Sequence, residues 1–201
     1  MPVKQQQGYY TPQEYLDLEA VAEQKSEYRD GEIIPLAGGT TNHNKIAGNF
    51  YANFRFAFRQ QDYEIYMGDV RLGVSRYRRY TYPDVMIVQG EPIYEGQRTD
   101  IVTNPLIIVE VLSKSTGSYD RGDKFLVYRS LPSLQEYILI DQYKFYVEQF
   151  NKNTQGQWTL TEHEDEDQVL KLAAVDFQIS FAEIYERVNF SVKKEDDGVN
   201  S

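Results

Sequence analysis

The sequence predicts a single α+β domain in which a mixed central β-sheet is flanked by helices. Two apolar runs of strand length, 83–88 and 106–113, occupy the middle of the chain. Both are rich in β-branched residues without polar alternation, which is typical of strands buried on both faces. Amphipathic helical patterns precede and follow them, and 201 residues are enough for one substantial core.

The N-terminal half predicts a helix, a hairpin and a second helix. Thr11-Pro12-Gln13-Glu14 is a capping box with proline at the first helical position, so a helix is expected from there to about Lys25. Residues 27–36 predict a β-hairpin that turns at Asp30-Gly31. A second helix is expected over 42–59, because phenylalanine or isoleucine recurs every four residues at Ile46, Phe50, Phe54 and Phe58.

The remaining elements are mostly strands. Strands are predicted at 64–67, 70–74, 81–88 and 106–112, and weaker or paired ones at 136–141, 143–151, 158–161 and 169–172. A helix is expected over 119–130, with Phe125, Leu126 and Tyr128 available to the core, and a short one over 181–187. The polar residues 1–10 and the acidic residues 191–201 are predicted to be disordered, which leaves 11–190 as the domain.

Composition excludes several classes of function. No stretch has the length of a membrane span, and no signal peptide opens the chain. The absence of cysteine fits a reducing, cytoplasmic location and excludes thiolate sites, and only two histidines are present. Any metal site must therefore use oxygen ligands, which suit magnesium, manganese or calcium.

The charge balance bears on possible partners. The formal net charge of -10 argues against loose binding to a polyanion, which depends on Lys and Arg. The segment 71–79, however, carries four arginines, so that binding of nucleic acid through one face stays open.

Each of the two apolar runs carries one carboxylate, Asp84 in the first and Glu110 in the second. A buried carboxylate is costly unless a cation or hydrogen bonds meet it. If the two strands are neighbours, both carboxylates can converge on one divalent ion. With a lysine nearby, such a site supports metal-assisted hydrolysis of a phosphodiester.

An ordered set of residues resembles one known family. Glu27-x-x-x-Gly31, His43, Pro83-Asp84, the run 109–116 and Asp120-x-x-x-Lys124-x-x-x-Tyr128 are similar to the Uma-two family of predicted restriction endonucleases. That family belongs to the PD-(D/E)XK nuclease superfamily, and the resemblance covers roughly residues 12–188. It implies a restriction-endonuclease-like fold and a Mg²⁺-dependent endonuclease, with Mn²⁺ as a substitute, that acts on DNA. A homodimer is expected, since enzymes that cut both strands often pair two sites by symmetry.

The resemblance also implies roles for individual residues. Asp84 and Glu110 correspond to the metal ligands, while Glu27 resembles the superfamily's helix-borne acid. The usual lysine two positions after Glu110 is replaced by Leu112, and Lys124 on the following helix is the position that matches instead. Asp120 shares a helix face with Lys124, and His43 matches a family histidine; both are candidate accessory residues.

Plainer interpretations remain open for each residue. Asp84 can satisfy turn N–H groups, and Glu110 can form a buried salt bridge with Lys124. Asp120 and Lys124 can be a surface ion pair, while Glu27 can be a solvated charge and His43 a helix-terminus residue. The alternative to an endonuclease is a nuclease-like fold that no longer cuts and acts as a binding module, which Leu112 and the acidic charge favour.

Overall fold

The computed structural model describes residues 9–191 and arranges them around three β-sheets. The largest has six strands in the order β11-β10-β9-β8-β6-β3, a second has five in the order β2-β1-β5-β4-β7, and β12 pairs with β13. Pairing is antiparallel except between β8 and β9 and between β4 and β7. The predicted mixed α+β class is confirmed.

The helices and strands have the following bounds. The five-stranded sheet contains β1 (Ser26–Arg29), β2 (Glu32–Pro35), β4 (Arg71–Val74), β5 (Arg79–Thr81) and β7 (Ile101–Val102). The six-stranded sheet contains β3 (Tyr63–Met67), β6 (Val85–Gln89), β8 (Ile107–Leu112), β9 (Glu136–Asp141), β10 (Tyr146–Lys152) and β11 (Trp158–Glu164). The small pair is β12 (Val169–Lys171) and β13 (Gln178–Ser180).

Five α-helices accompany the sheets: α1 (Pro12–Glu19), α2 (Thr41–Ala57), α3 (Gly117–Tyr119), α4 (Phe125–Tyr128) and α5 (Phe181–Ile184). A π-helical turn, Asp120–Lys124, joins α3 to α4, so that 117–128 is one continuous helical segment. A 3-10 turn, Ser75–Tyr77, lies between β4 and β5. Among the described residues, no helix is long and apolar enough to cross a membrane.

Two apolar layers cover the six-stranded sheet. On one face, α2 and α5 pack against alternate residues of the strands, among them Val109 and Val111 of β8. On the other face, α4 packs against the intervening residues, including Ile108 and Leu112. Strand alternation therefore places Glu110 on the same face as Leu112, toward α4. A third, tyrosine-rich cluster joins α1 to the five-stranded sheet.

Several local predictions are confirmed. The hairpin turns at Asp30 and Gly31, which both have positive φ, at 45° and 103°. Arg29 pairs with Glu32 across this two-residue turn. The apolar face of α2 is buried at all four predicted positions, Ile46, Phe50, Phe54 and Phe58.

Other predictions need correction. The expected strand 81–88 is two strands in different sheets, because Pro83 has no N–H to donate and the chain crosses from β5 to β6 at 82–84. Helix α1 ends at Glu19 rather than near Lys25, and Glu19 there accepts a hydrogen bond from the Ser26 N–H at 3.0 Å. In α4, Leu126 is exposed and Val127 is buried instead.

The chain ends fall partly outside the description. Residues 1–8 and 192–201, which carry most of the predicted disorder, are outside the described residues. Tyr10, which was assigned to the N-terminal segment, donates a backbone hydrogen bond to Gly31 O at 2.9 Å and packs against the tyrosine-rich cluster.

Candidate active site

Asp84 lies in the segment 82–84, where the chain passes from the five-stranded sheet to the six-stranded sheet. This residue follows Pro83 and directly precedes β6, where Val85 pairs with Val109 of β8. Its Oδ2 accepts a hydrogen bond from the Val111 N–H at 2.7 Å, and its Oδ1 lies 2.9 Å from His43 Nε2. The Asp84 side chain keeps 21% exposure, so that the carboxylate is partly accessible to solvent. The group of side chains around Asp84, Glu110 and Lys124 is called the pocket below.

His43 reaches Asp84 from the first turn of α2. Thr40 caps this helix, because its hydroxyl accepts from the His43 N–H at 3.1 Å. Burial alone would lower the pKa of His43, but the hydrogen bond to Asp84 and its negative charge outweigh burial, and the pKa is raised. His43 is thus both the helix-terminus residue and a partner of Asp84.

Glu110 lies on β8, opposite the Asp84 end of β6, and only 3% of it is exposed. Its Oε1 is 2.8 Å from Lys124 Nζ and accepts a hydrogen bond from the Tyr128 hydroxyl at 3.1 Å. The Tyr128 hydroxyl lies 2.9 Å from Thr81 Oγ1, which connects the five-stranded sheet to Glu110. The buried salt bridge considered for Glu110 is therefore present, and its cation is the lysine of the family pattern.

Three carboxylates surround Lys124. Besides Glu110, its Nζ is 3.5 Å from Asp120 Oδ1 and 3.7 Å from Glu27 Oε1, and only 6% of the residue is exposed. Asp120 and Lys124 are therefore a buried pair, and the surface ion pair is the wrong interpretation. Both belong to the π-helical turn, a form of helix that occurs frequently at functional sites.

Glu27 lies on β1 rather than on a helix, which corrects the expectation of a helix-borne acid. It is 2% exposed and therefore not a solvated charge. Its Oε2 accepts a hydrogen bond from Arg29 Nη2 at 2.8 Å. The Arg29 guanidinium also lies over the Tyr119 ring, 3.7 Å from its centroid.

The pocket formed by these residues brings four carboxyl groups together with two or three cations. Four carboxylates, those of Glu27, Asp84, Glu110 and Asp120, meet Lys124, Arg29 and, when protonated, His43. Burial raises the pKa of Glu110 well above its usual value; Lys124 opposes this shift, while the charges of Asp84 and Asp120 add to it. Burial also raises the pKa of Asp120.

Lys124 behaves as the fixed cation of the pocket. Burial would lower its pKa, but the charge of Glu110, with those of Glu27 and Asp120 among the further contributions, raises the pKa well above its usual value. The lysine is therefore a charged hydrogen-bond donor, and four carboxylates still outnumber the cations that touch them.

The donor set suits a hard divalent cation. Among residues 9–191, no three or more His, Asp and Glu side chains are arranged to hold a metal ion by themselves. Mg²⁺, however, usually keeps several waters and binds through one or two carboxylates together with substrate phosphates. Asp84, directly before β6, and Glu110, on the neighbouring strand β8, supply two such carboxylates.

Sequence reasoning named six residues of this pocket and missed four contributors. Asp84, Glu110, Lys124, Glu27, His43 and Asp120 all lie in it. Thr81, Val111 and Arg29 act through contacts that cross between sheets and strands, for which the sequence carries no local signal. Tyr128 was part of the ordered pattern, and its spacing of four from Lys124 was the available clue.

Fold and pocket together define a protein with a restriction-endonuclease-like architecture and a buried carboxylate–lysine site. A crystal structure of "a putative nuclease belonging to DUF820" from Anabaena variabilis superposes with a TM-score of 0.72. The match covers 88% of this chain and 97% of that one at 20% sequence identity, a level at which the likeness concerns the fold.

The chain belongs to the Uma2 family, whose model, described as "Putative restriction endonuclease", matches residues 12–182. Two relatives from Synechocystis are similar to it over most of its length. The uncharacterized protein sll1609 is 43% identical over 76% of this chain and 86% of its own length. The uncharacterized protein slr1290 is 32% identical over 90% of this chain and 93% of its own length.

Proposed function

We propose that this chain is a divalent-metal-dependent endonuclease that hydrolyses phosphodiester bonds of DNA, with Mg²⁺ as the ion and Mn²⁺ as a substitute. The observation that carries the proposal is the 2.8 Å contact between Glu110 and Lys124 beside Asp84, in a pocket where carboxylates outnumber cations. The family and the nuclease-like fold support the reaction class.

In this mechanism, Asp84 and Glu110 would hold the ion. A bound divalent cation would neutralise charge on the scissile phosphate and acidify the attacking water. The Val111 N–H and His43 fix the orientation of Asp84, and Tyr128 fixes that of Glu110, so that both carboxylates are preorganised. Preorganised groups need little rearrangement during the reaction.

Lys124 contributes a positive charge rather than a base. Its ammonium lies within 4 Å of three carboxylates and stays protonated there, so that it can donate a hydrogen bond to the water or to a phosphate oxygen. Negative charge that develops on the phosphate is stabilised by such a fixed donor. Glu27 and Asp120 keep the ammonium in place.

The alternative, a binding module that has lost cleavage, rested on Leu112 and on the net charge of -10. The acidic charge still favours it, whereas Leu112 no longer does. That side chain is buried against α4 in the core, where a lysine would not be accommodated. Since Lys124 reaches Glu110 from the neighbouring helix, the departure at residue 112 does not leave the pocket without a lysine. This placement favours the endonuclease.

A cleavage assay tests the proposal. Asp84→Asn, Glu110→Gln and Lys124→Met are expected to lower Mg²⁺-dependent nicking of plasmid DNA by roughly 100-fold or more, since each removes charge from the reacting centre. Glu136→Gln is the matched control, because Glu136 is also a buried carboxylate of the six-stranded sheet but bonds to the Ala173 and Ala174 N–H groups. Full activity in Lys124→Met would contradict the mechanism.

Metal binding is tested separately by thermal unfolding. Mg²⁺ or Mn²⁺ at millimolar concentration is expected to raise the melting temperature of the wild type, because an ion that binds only the folded state stabilises it. The same addition should leave the melting temperatures of Asp84→Asn and Glu110→Gln unchanged. An equal rise in the melting temperature of all three proteins would mean that the ion binds elsewhere.

The expected homodimer stays a prediction, which sedimentation velocity checks.

A further inference from the structure

We propose that Arg29 and Arg79 form a phosphate-binding pair at the rim of the pocket, which grips the nucleic-acid backbone beside the bond that is cut. The inference rests on the proposed nuclease function for the identity of the ligand. It rests on the described contacts for the existence of the site.

The two arginines share one face of the five-stranded sheet with two residues of the pocket. Strands β1 and β5 are antiparallel, and Arg29 is directly opposite Arg79. Because side chains alternate along a strand, Glu27 lies on the same face as Arg29, and Thr81 on the same face as Arg79. Both of these neighbours reach the pocket: Glu27 lies 3.7 Å from Lys124, and Thr81 lies 2.9 Å from Tyr128.

The Arg29 guanidinium borders the pocket at Glu27, and Arg79 lies directly opposite it on the neighbouring strand. Two residues along a strand correspond to roughly 7 Å, which is about the separation of successive phosphates in a nucleic-acid strand. The half-buried Tyr119 lies between the arginines and the lysine, with Arg29 stacked over its ring. Burial raises the pKa of Tyr119, while the positive charges of Arg29, Lys124 and Arg79 oppose that rise, as expected for a ring near all three.

Arg79 has no acidic partner to explain its position. Among residues 9–191 it forms no ion pair, and its Nε, like that of Arg29, is buried without a hydrogen-bond partner. Like charges directly opposite each other on neighbouring strands destabilise a sheet. Arg29 has Glu27 as its counter-charge, whereas Arg79 has none among the described residues, so that an anion from outside the chain would compensate the second charge of the pair.

The rest of the basic segment 71–79 does not compete for this role. Arg71 pairs with Asp100, and although its Nε and Nη1 are also buried without a hydrogen-bond partner, it lies on the opposite face of the sheet from Thr81. Arg78 lies 3.4 Å from Asp30 and 3.2 Å from the Tyr28 hydroxyl. Arg76 is exposed beside Tyr77. Only Arg79 shares the face of Glu27 and Thr81, and a planar guanidinium suits bidentate contact with a phosphate.

Binding of a fluorescein-labelled DNA duplex, measured by anisotropy in EDTA across a series of KCl concentrations, tests this pair without cleavage. Arg79→Gln is expected to weaken binding about five- to tenfold at low salt and to reduce the salt slope by about one. Arg79→Lys should retain most of the slope. Arg59→Gln is the matched control, because Arg59 is an exposed arginine just beyond the other end of α2 from His43, roughly 20 Å away.

Stability separates a binding role from a structural one. Removal of one of two opposed positive charges is expected to leave the melting temperature of Arg79→Gln unchanged or raise it, while binding falls. The proposal would be overturned if the salt slope of Arg79→Gln equalled the slopes of the wild type and of Arg59→Gln. It would also be overturned if the wild type bound no duplex. A wild type that binds DNA through Arg79 but never cuts it would overturn only the nuclease function.

Discussion

At the scale of single residues, Lys124 is buried and contacts three carboxylates. Within residues 9–191 it is the one lysine that contacts Glu27, Glu110 and Asp120; Glu27 also pairs with Arg29, whereas Glu110 and Asp120 have Lys124 as their cation. Removing one member of a buried ion pair leaves an uncompensated charge, which costs more than the pair itself contributes. The two partners of the Glu110–Lys124 contact are not equivalent in this respect.

We predict an asymmetry between two substitutions. Lys124→Met should lower the free energy of unfolding by about 3–5 kcal/mol, because several buried carboxylates lose their cation. Glu110→Gln should cost only about 1 kcal/mol, because Lys124 keeps Asp120 and Glu27, and the amide oxygen can still accept from Tyr128. Urea unfolding at neutral pH measures both values. Equal losses would mean that the other two carboxylates do not compensate the lysine.

At the scale of elements, the cap of α2 has a functional consequence. Thr40 ends the extended segment before the helix, accepts from the His43 N–H and also bonds to Gln142. This cap therefore fixes the first turn of α2, from which His43 reaches Asp84. Fold stability and the position of a pocket side chain depend on the same hydroxyl.

Thr40→Ala is expected to destabilise the protein by about 1 kcal/mol, the usual cost of losing an N-cap. Thr40→Ser, which keeps the hydroxyl, should restore most of that stability. Denaturant unfolding gives the energies, and the NMR titration of His43 gives the local effect. An unchanged unfolding energy in Thr40→Ala would show that solvent replaces the cap.

The element boundaries that sequence reasoning placed correctly are those with a local chemical cause. The turn at Asp30-Gly31 and the apolar face of α2 are read from neighbouring residues. By contrast, β7 and β13 are two and three residues long, too short for a periodic signal. The break between β5 and β6 at 82–84 coincides with Pro83, which cannot donate a strand hydrogen bond. The sheet that each strand joins depends on partner strands that are distant in sequence.

At the scale of the whole molecule, Glu136 ties the six-stranded sheet to the segment after β12. Its buried carboxylate accepts hydrogen bonds from the Ala173 and Ala174 N–H groups, each at 3.0 Å, and from Gln149. Burial raises the pKa of Glu136, although these hydrogen bonds oppose the shift. A carboxyl with a raised pKa in the folded state favours folding most when it is protonated.

This gives a pH-dependent prediction with a definite sign. Relative to Glu136→Gln, which does not titrate, the wild type should lose stability as the pH rises from about 4, the ordinary carboxyl range, through the raised folded pKa. Urea unfolding of both proteins at several pH values measures the difference. If the free energy of unfolding of the wild type instead increased relative to Glu136→Gln with rising pH, the pKa of Glu136 would be lowered rather than raised.

Sequence reasoning recovered the pocket better than the fold around it. Asp84 and Glu110 stood out as isolated charges in apolar runs, which is a local pattern, whereas the role of Lys124 was implied by the family resemblance. The burial of Glu27 and the pairing of Arg29 with Arg79 follow from the five-stranded sheet, which no local pattern predicts as a separate layer. These two features depend on the order of strands that are distant in sequence, so local sequence patterns could not predict them.

The passage of the chain from one large sheet to the other at 82–84 has a mechanical consequence. Glu27 and Thr81 belong to one sheet, Glu110 belongs to the other, and Asp84 lies at the crossing, so that a ligand held from both sides would add a further link between two sheets that already share a core. Hydrogen exchange of the β5 and β6 amides should therefore slow when the pocket is filled. A ligand in the pocket would then reduce the motion of backbone amides that it does not itself contact.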